Sequence, residues 1–478
     1  MTTTTILGAG LAGLTTAMML HRDGHEVTVL ERDPAVPTDR PWDDWDRPGV
    51  NQFRLPHYLL PRWWAELRAE LPDAAAAVRA AGAVVINPLA ALPAEIRGPD
   101  RDDDDRFATV TARRPVLEAA LAAAATAAGV TIRRGVRVVG VRTDGRHPVP
   151  RVIGVITTAG PVSADLVIDC GGRRSALPAW LAAAGARPVA EERSDAGFVY
   201  YARHFRSPHG RLPEIRSMVI QPYESLSVLT LPADHGTWSV VLTTSGKDRA
   251  LRGLREPATW SAVVSRYPAA AAWLGAEPIS GVDVMAGLED RLRRYVVDGL
   301  PVATGVVAVG DAWACTNPSL GRGASFAIIH ARVLRDVLRE VGAADHDKLV
   351  RRFDEATAQV VEPLYRATNF VDTHRLAEID GDVAGVPYRP DDLRWLASKA
   401  LFAAALRDPG ALRGYLSISS FLNTPDEVFA TPGLRDRVLA LGMPAPQYPL
   451  PGPSRAELLD AVTALPHGAE TSGHCGRR

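Results

Sequence analysis

Residues 4–13 read Thr-Thr-Ile-Leu-Gly-Ala-Gly-Leu-Ala-Gly, a short β-prone run that stops at a glycine-rich turn. Leu11–Arg22 then has the composition of a helix, Gly24 closes it, and Val27–Leu30 is a second apolar run. A strand, a helix and a strand within about 30 residues are typical of the parallel crossover unit of an α/β fold. The sequence therefore predicts a Rossmann-like unit at its start.

The glycines of this turn have the spacing of a dinucleotide-binding loop. Gly8 would make the tight turn, Gly10 would let the backbone approach a pyrophosphate, and Gly13 would let helix and strand pack closely. The helix begins at Leu11 and Ala12, where free N–H groups and the positive end of the helix dipole favour that pyrophosphate. The turn predicts a nucleotide cofactor, and a plain glycine-rich turn is the alternative.

An acidic residue follows at the distance that a ribose contact requires. Glu31 lies 18 residues beyond Gly13, at the end of the second predicted strand. A carboxylate there can accept hydrogen bonds from ribose hydroxyls and would repel a 2′-phosphate, which disfavours NADP at this site. Arg32, the next residue, is predicted to join the same site. These residues leave FAD and NAD as alternatives.

A second motif favours FAD. The strand-like run Gly305–Val309 ends in Gly310 and Asp311, which places a carboxylate at the carboxyl edge of the sheet, within reach of ribityl hydroxyls. Residues 317–324 then read Asn-Pro-Ser-Leu-Gly-Arg-Gly-Ala and open a helix whose dipole would face the flavin pyrimidine, which is anionic when reduced. The alternative is an ordinary turn capped by the aspartate. The predicted contacts of this loop are Pro318, Gly321, Gly323 and Ala324.

A third motif, residues 167–181, reads Val-Ile-Asp-Cys-Gly-Gly-Arg-Arg-Ser-Ala-Leu-Pro-Ala-Trp-Leu. At these three motifs the chain resembles the FAD-dependent monooxygenases of the para-hydroxybenzoate hydroxylase fold. It is most similar to bacterial epoxidases and hydroxylases of natural-product pathways, such as polyether epoxidases. Their pattern Asp-x-x-Gly-Arg-x-Ser-x-Leu-Pro-x-Trp-Leu is matched from Asp169 through Gly172 and Arg173 to Leu181. The resemblance implies that Asp169, Gly172 and Arg173 belong to the cofactor site.

Two further segments extend the resemblance. Residues 47–57, Arg-Pro-Gly-Val-Asn-Gln-Phe-Arg-Leu-Pro-His, resemble the subgroup's Arg-x-Gly-Val-Pro-Gln-x-x-His-x-His loop. By that match Arg47 and Gln52 would be flavin-side residues. Arg114, which opens its predicted helix, resembles the family arginine that reaches the cofactor.

Three positions depart from the family pattern. Asn51 replaces a proline, and Leu55 stands where the subgroup has its first histidine. Pro178 stands where simple hydroxylases carry an arginine, in a motif that handles both FAD and NAD(P)H. No second glycine motif follows a strand, so no separate NAD(P)H domain is predicted. The electron donor is therefore expected to be NAD(P)H or a separate flavin reductase.

The resemblance implies a mechanism. Reduced flavin would react with oxygen to give a flavin hydroperoxide, which would insert one oxygen atom into an apolar small molecule by epoxidation or hydroxylation in bacterial secondary metabolism. No residue is identified as certainly catalytic. Each candidate is equally explained as an ordinary core residue with its polar tip satisfied. The candidates near the substrate are Tyr200, Tyr201, His204, Tyr223 and His57.

Other functions remain as alternatives. The nearest is an FAD-dependent oxidase or dehydrogenase, or a double-bond reductase, acting on a small molecule. A nucleotide-binding protein without catalysis would leave the Gly310-Asp311 loop without a purpose. Flavin-dependent halogenation is not expected, since it uses a lysine and none precedes Lys247.

Composition excludes several classes of protein. The 478 residues carry a formal net charge of -1, which disfavours nucleic acid as a partner. The three cysteines are far apart and the 12 histidines do not cluster, so we predict no metal, reduced thiols and a cytoplasmic location. No apolar run is long enough for a membrane span.

The predicted architecture is α/β, with two units and a helical end. A discontinuous Rossmann-like FAD-binding domain comprises residues 1–85, 106–190 and 296–365. A mainly antiparallel β-sheet domain for substrate, residues 86–105 and 191–295, is inserted into it. A C-terminal helical region, 366–465, and a disordered tail, 466–478, follow. The sequence also predicts one helical segment over Trp63–Ala81 and a solvated turn at Arg101–Arg106.

Overall fold

A parallel sheet forms around the predicted βαβ unit. In the computed structural model, which describes residues 2–145 and 148–464, this sheet has five parallel strands. Their order is Val306–Ala308, Leu166–Asp169, Thr3–Leu7, Glu26–Glu31 and Thr131–Arg134. The central strand, Thr3–Leu7, is buried over its last four residues, as expected for a parallel strand covered on both faces.

Helices and a small antiparallel sheet cover the two faces of the parallel sheet. The first helix, Leu11–Arg22, packs between Gly323–Val341 and Arg114–Ala127, so most of its residues are buried. A three-stranded antiparallel sheet packs against the strand Leu166–Asp169. Its strands are Val138–Thr143, Val152–Thr157 and Gly160–Ser163.

A six-stranded sheet, called the antiparallel sheet below, forms the second unit. Its two long strands, Phe198–Arg206 and Thr237–Ser245, pair over nine residues. One face packs on Pro257–Val264 and Arg455–Thr463, and the other faces the helix Glu362–Ala384. The remaining strands are Ile220–Pro222, Ser227–Pro232, Glu277–Pro278 and Asp283–Met285.

The other elements are short strands and the remaining helices. Short strands form three smaller sheets. The first joins Ala190–Asp195, Glu289–Arg294 and Ala314–Cys315. The second pairs Val84–Ile86 with Thr109–Thr111, and the third pairs Val296–Val297 with Leu300–Pro301. Further α-helices span Pro41–Asp44, Pro61–Glu70, Pro72–Ala80, Ala94–Arg97, Leu177–Ala183, Pro268–Ala271, His346–Val360, Leu393–Ala405, Pro409–Ser419, Pro425–Phe429 and Leu434–Gly442. Short 3-10 turns span Asp104–Phe107, Gly172–Arg174, Arg249–Arg255, Ala272–Leu274, Gly310–Ala312 and Pro318–Leu320.

Two local predictions hold in part. The helical segment predicted over Trp63–Ala81 is divided into two helices at Leu71, because Pro72 cannot donate a backbone hydrogen bond and restricts the residue before it. The run Arg101–Arg106 is mostly exposed, as predicted, but Asp104 is half-buried and its Oδ2 accepts a hydrogen bond from Arg413 Nη2 at 2.6 Å. Arg413 is buried, and this ion pair holds the pKa of Asp104 below its ordinary value.

The α/β fold with a Rossmann-like domain, an antiparallel substrate-side sheet and C-terminal helices is confirmed. The residue boundaries of the units stay predictions. The predicted disordered tail, 466–478, lies outside the described residues. Across the described ranges no helix has both the length and the apolar character to cross a membrane.

Candidate functional site

A cavity of about 410 Å³ lies at the carboxyl edge of the parallel sheet. We call it the cofactor cavity. Strand ends contribute Leu7, Glu31 and Asp169, and the turn after Val306–Ala308 contributes Asp311. Ligands gather at this edge in open α/β sheets because loops leave the strands there and helices begin there.

The glycine turn has the geometry that its spacing predicts. Gly8 has φ +99°, and a Cβ there would lie 2.7 Å from the Cys170 carbonyl oxygen. A Cβ on Gly13 would lie 1.9 Å from the Gly8 carbonyl oxygen, so helix and strand require a glycine here. A Cβ on Gly10 would meet no atom within 4 Å. Gly10 therefore leaves open space beside the helix N-terminus, where a pyrophosphate could approach the backbone.

Asp311 presents a carboxylate to the cofactor cavity. In the described part of the chain no side chain or backbone group donates a hydrogen bond to it. Burial raises its pKa, although the nearby charges of Arg173 and Arg114 act to lower it. An acceptor left free in this way fits a ligand rich in hydroxyls, as a ribityl chain is.

The loop after Asp311 closely approaches Tyr58, the residue that follows the 47–57 segment. Gly321 has φ +67°, and a Cβ there would lie 2.5 Å from the Tyr58 carbonyl oxygen. Arg173, which lines the same cavity, donates from Nη2 to the Thr316 carbonyl at 3.2 Å. Its Nη1 is buried without a partner among the described residues. A free donor beside this loop fits the pyrimidine end of a flavin.

Asp169 organises the middle motif. It accepts hydrogen bonds from the Gly171 N–H at 2.9 Å and from the Ser175 hydroxyl. Both contacts lie within its own turn, so the buried carboxylate fixes the path of the chain beside the cavity. Burial raises the pKa of Asp169. Gly172, in this turn, has φ +74° and lines the cavity.

Arg47 lies in a buried ion cluster beneath the cavity. Its guanidinium binds Glu31 and Glu118, and it donates to the Ala9 carbonyl at 3.0 Å. Glu31 also accepts the Ala9 N–H at 2.8 Å and the Asp33 N–H at 2.9 Å. The guanidinium of Arg47 is therefore engaged by protein groups. These contacts hold Glu31, at the end of its strand, against the glycine turn.

The charges of this cluster stabilise one another. Burial acts to lower the pKa of Arg47, but Glu118 and Glu31 outweigh it, and the pKa is raised. Burial acts to raise the pKa of Glu118, but Arg114 and Arg47 outweigh it, and the pKa is lowered. Both groups are therefore held in their charged forms.

His57 is neutral, hydrogen-bonds to Arg114 of the ion cluster and lines the cofactor cavity. Its Nδ1 donates to the Leu55 carbonyl at 2.8 Å, which leaves Nε2 to accept from Arg114 Nη1 at 2.8 Å. Burial and the charge of Arg114 lower the pKa of His57 to about 3. With both ring nitrogens engaged, His57 is not placed to act as a base.

Most of the predicted cofactor residues line this cavity. Gly13 and Gly310 do not, and both lie behind it, where close packing excludes a side chain. The predicted residues that line it are Gly8, Gly10, Leu11, Ala12, Glu31, Arg32, Arg47, Gln52, Arg114, Asp169, Gly172, Arg173, Asp311, Pro318, Gly321, Gly323 and Ala324. Their contacts with a cofactor stay predictions.

A second, smaller cavity of about 70 Å³ adjoins the first, and we call it the inner cavity. It lies between the antiparallel sheet, the loop Pro318–Leu320 and the helix Glu362–Ala384. Its wall is mostly apolar. The residues shared by both cavities are Leu55, Pro56, Ile220, Leu229, Met285, Pro318 and Ser319.

Strand alternation decides which tyrosine reaches the inner cavity. Tyr200 lines it and donates its hydroxyl to Asn317 Oδ1. Tyr201, the next residue, points to the opposite face of the sheet and belongs to the core around Trp260. Tyr201, a predicted substrate contact, therefore lies away from both cavities.

Two other candidates, Tyr223 and His204, also lie away from both cavities. Tyr223 packs against Tyr267 and donates to Gln221 Oε1 at 2.9 Å. His204 donates from Nε2 to the Arg54 carbonyl at 2.9 Å, and burial lowers its pKa to about 4. His57 lines only the cofactor cavity.

Several polar residues of the inner cavity were not predicted from the sequence. Ser319 lies in the loop after Asp311, and its hydroxyl donates to Asp372 Oδ1. Asp372 and Arg375 lie on the helix Glu362–Ala384 and line the inner cavity. The spacing of these two residues does not identify them in the sequence, because they reach the inner cavity only when the helix packs against the sheet.

The fold and the cofactor cavity define a flavin-dependent oxidoreductase. The open space at Gly10, the free carboxylate of Asp311 and the free donor of Arg173 fit FAD. The family described as FAD binding domain matches residues 100–368, and an NAD(P)-binding Rossmann-like domain matches residues 6–57. The chain belongs to the FAD binding domain family. The predicted FAD cofactor and the resemblance to FAD-dependent monooxygenases are confirmed.

Individual relatives agree with this membership. Protein Rv3254 of Mycobacterium tuberculosis is 29% identical over 391 residues, which cover 75% of this chain and 78% of that protein. PqsL of Pseudomonas aeruginosa, described as a probable FAD-dependent monooxygenase, has a TM-score of 0.58 at 18% identity over 80% of this chain and all of its own. The flavin-dependent brominase Bmp2 has a TM-score of 0.52 at 16% identity over 96% of this chain and 97% of its own. Both structural likenesses concern the fold.

Asp311→Ala is expected to change cofactor binding and apoprotein stability in opposite directions. Loss of a charge-assisted contact should weaken FAD binding by about 10- to 100-fold, which corresponds to about 1.5–3 kcal/mol. The apoprotein should melt at the same or a higher temperature, because a half-buried carboxylate without a donor has been removed. FAD titration and apoprotein melting measure the two effects. Unchanged FAD affinity would contradict the role given to Asp311.

Proposed function

We propose that this chain uses FAD to insert one oxygen atom from O₂ into an apolar small molecule, by epoxidation or hydroxylation, in bacterial secondary metabolism. The inner cavity carries this proposal. It is mostly apolar and it adjoins the cofactor cavity. Pro318 and Ser319, in the loop at residues 317–324 (called the flavin-side loop below), belong to both walls. A substrate held there would lie beside the cofactor.

The inner wall would keep water away from the reacting atoms. It includes Phe198, Val228, Val241 and Leu320, of which the first three are buried. Bound FAD supplies the chemistry, since the reduced cofactor activates oxygen. The chain has to orient the substrate, exclude water and stabilise the negative charge of the reduced cofactor. The helix that begins at Gly323 presents its positive dipole end for that last task.

Epoxidation fits the side chains of the inner cavity, because transfer of oxygen to an alkene requires no protein base. Tyr200 is an unsuitable base: its hydroxyl donates to Asn317, and burial raises its pKa well above the ordinary value. The guanidinium of Arg375 is engaged by the Tyr223 and Leu226 carbonyls. The electron donor would be NAD(P)H or a separate flavin reductase.

A labelling experiment tests the proposal. FAD-loaded protein, NADPH or NADH with a flavin reductase, and ¹⁸O₂ would be incubated with a panel of alkenes and phenols. We expect a product that carries one ¹⁸O atom. A consumed probe whose product lacks the label, with an equivalent of hydrogen peroxide, would contradict oxygen insertion and favour the oxidase alternative. A probe converted without oxygen uptake would favour a reductase.

A further inference from the structure

The inner cavity contains one carboxyl group that the proposed function leaves unused. Asp372 lines this cavity and is only 4% exposed. Its Oδ1 accepts the Ser319 hydroxyl, whereas its Oδ2 is buried and has no hydrogen-bond partner among the described residues. A buried carboxyl oxygen without a partner is costly unless a ligand donates a hydrogen bond to it.

The surroundings of Asp372 decide what kind of ligand that is. Burial and the charge of Asp290 raise the pKa of Asp372 to about 7, against the Ser319 hydroxyl, the charge of Arg322 and the Asn317 amide, which act to lower it. Near neutral pH the group can therefore accept a hydrogen bond as a carboxylate or donate one as an acid. A hydroxyl group is complementary to both forms, because it is itself a donor and an acceptor.

Charged ligand groups are less suitable at this position. A ligand carboxylate would be repelled by ionised Asp372. A ligand ammonium would lie in the same cavity as Arg375, whose guanidinium is held there by Glu378 at 3.1 Å. The neighbouring wall is apolar on the sheet side, at Phe198 and Val241. The site therefore favours a neutral polar group on an otherwise apolar molecule.

Resting on the proposed function, we propose that Asp372 is the specificity-determining residue of the inner cavity and binds a hydroxyl group of an otherwise apolar substrate, an alcohol or a phenol. The hydrogen bond from Ser319 fixes the Asp372 side chain and connects it to the flavin-side loop. A substrate anchored in this way would be held in one orientation beside the cofactor. Asp372 thus selects the substrate and orients it.

Equilibrium binding to oxidised, FAD-loaded protein tests this proposal without requiring turnover. The probes are 4-propylphenol and propylbenzene, which differ only in the hydroxyl, and the signal is the perturbation of flavin absorbance. We expect wild-type protein to bind 4-propylphenol at least about tenfold more tightly than propylbenzene. In Asp372→Leu this preference should fall to less than about twofold, with propylbenzene bound no more weakly.

Two further variants make the result specific. Asp372→Asn keeps the volume and part of the hydrogen bonding, so it should retain FAD and show an intermediate preference. Asp380→Asn makes the same change on the same helix, at a residue that contacts Ser245 and Lys247 and does not line the cavity. It should keep the full preference. A wild-type protein without preference, or a preference that survives in Asp372→Leu, would overturn the proposal.

The outcomes separate this proposal from the proposed function. Protein that takes up FAD and transfers oxygen but ignores the hydroxyl would refute the role of Asp372 alone. Protein that prefers the hydroxyl but never transfers oxygen would refute the proposed function alone. FAD occupancy of each variant shows whether the substitution has disturbed the fold.

Discussion

Glu118→Gln is expected to lower the free energy of unfolding by about 3–5 kcal/mol, because it removes the negative charge that two buried guanidinium groups share. Glu118 is fully buried and binds both Arg47 and Arg114. Arg47 keeps Glu31 after the substitution, but Arg114 keeps only His57. Urea unfolding of the apoprotein measures the loss.

The pH dependence of this loss has a definite sign. The pKa of Glu118 is lowered in the folded protein, so its ionised form stabilises the fold. The contribution is complete above the ordinary glutamate pKa and disappears as pH falls through the lowered folded value. Wild type and Glu118→Gln should therefore converge in stability at acid pH. Glu355→Ala, at an exposed helical position, should change stability by no more than about 0.5 kcal/mol. Equal effects of the two substitutions would contradict the account of the cluster.

Alanine substitutions at Gly10 and Gly13 are expected to have opposite consequences, although both glycines belong to one turn. Gly13→Ala would place a methyl group 1.9 Å from the Gly8 carbonyl oxygen, which belongs to the backbone and cannot yield. We expect it to destabilise the apoprotein by about 3 kcal/mol or more. Gly10→Ala meets no protein atom and should leave the apoprotein folded, while it weakens FAD binding by at least about tenfold.

The two variants serve as controls for each other. Thermal melting of the apoproteins and FAD titration would be done in parallel. A folded Gly10→Ala protein with wild-type FAD affinity would show that no cofactor group approaches this backbone. A stable Gly13→Ala protein would show that the helix and strand are farther apart than the structure has them.

The nucleotide side of the site could be predicted from the sequence because it depends on backbone geometry. The glycines at 8, 10 and 13 have meaning only in a strand-turn-helix context, and that context is local. Gly310 and Asp311 could be placed for the same reason, since a strand end fixes the edge of the sheet where they lie. The backbone geometry of such a motif is set by residues that are close together in the sequence.

The substrate side could not be predicted to the same degree because it depends on long-range packing. Tyr200 and Tyr201 are adjacent in sequence, and which of them faces the inner cavity depends on the register of the antiparallel sheet. Asp372 reaches the cavity only after the helix Glu362–Ala384 docks across that sheet. Arg47 lines the cofactor cavity, but only the structure shows that it also binds Glu31 and Glu118, which are distant in sequence.

The measurement that tests the central claim most directly is rapid mixing of the anaerobically reduced, FAD-loaded protein with oxygen, followed by flavin absorbance. It would be run without a probe and with 4-propylphenol present. We expect a transient species, distinct from both reduced and oxidised flavin, that decays to the oxidised spectrum. Direct return to oxidised flavin with stoichiometric hydrogen peroxide, in both conditions, would contradict an oxygen-inserting enzyme.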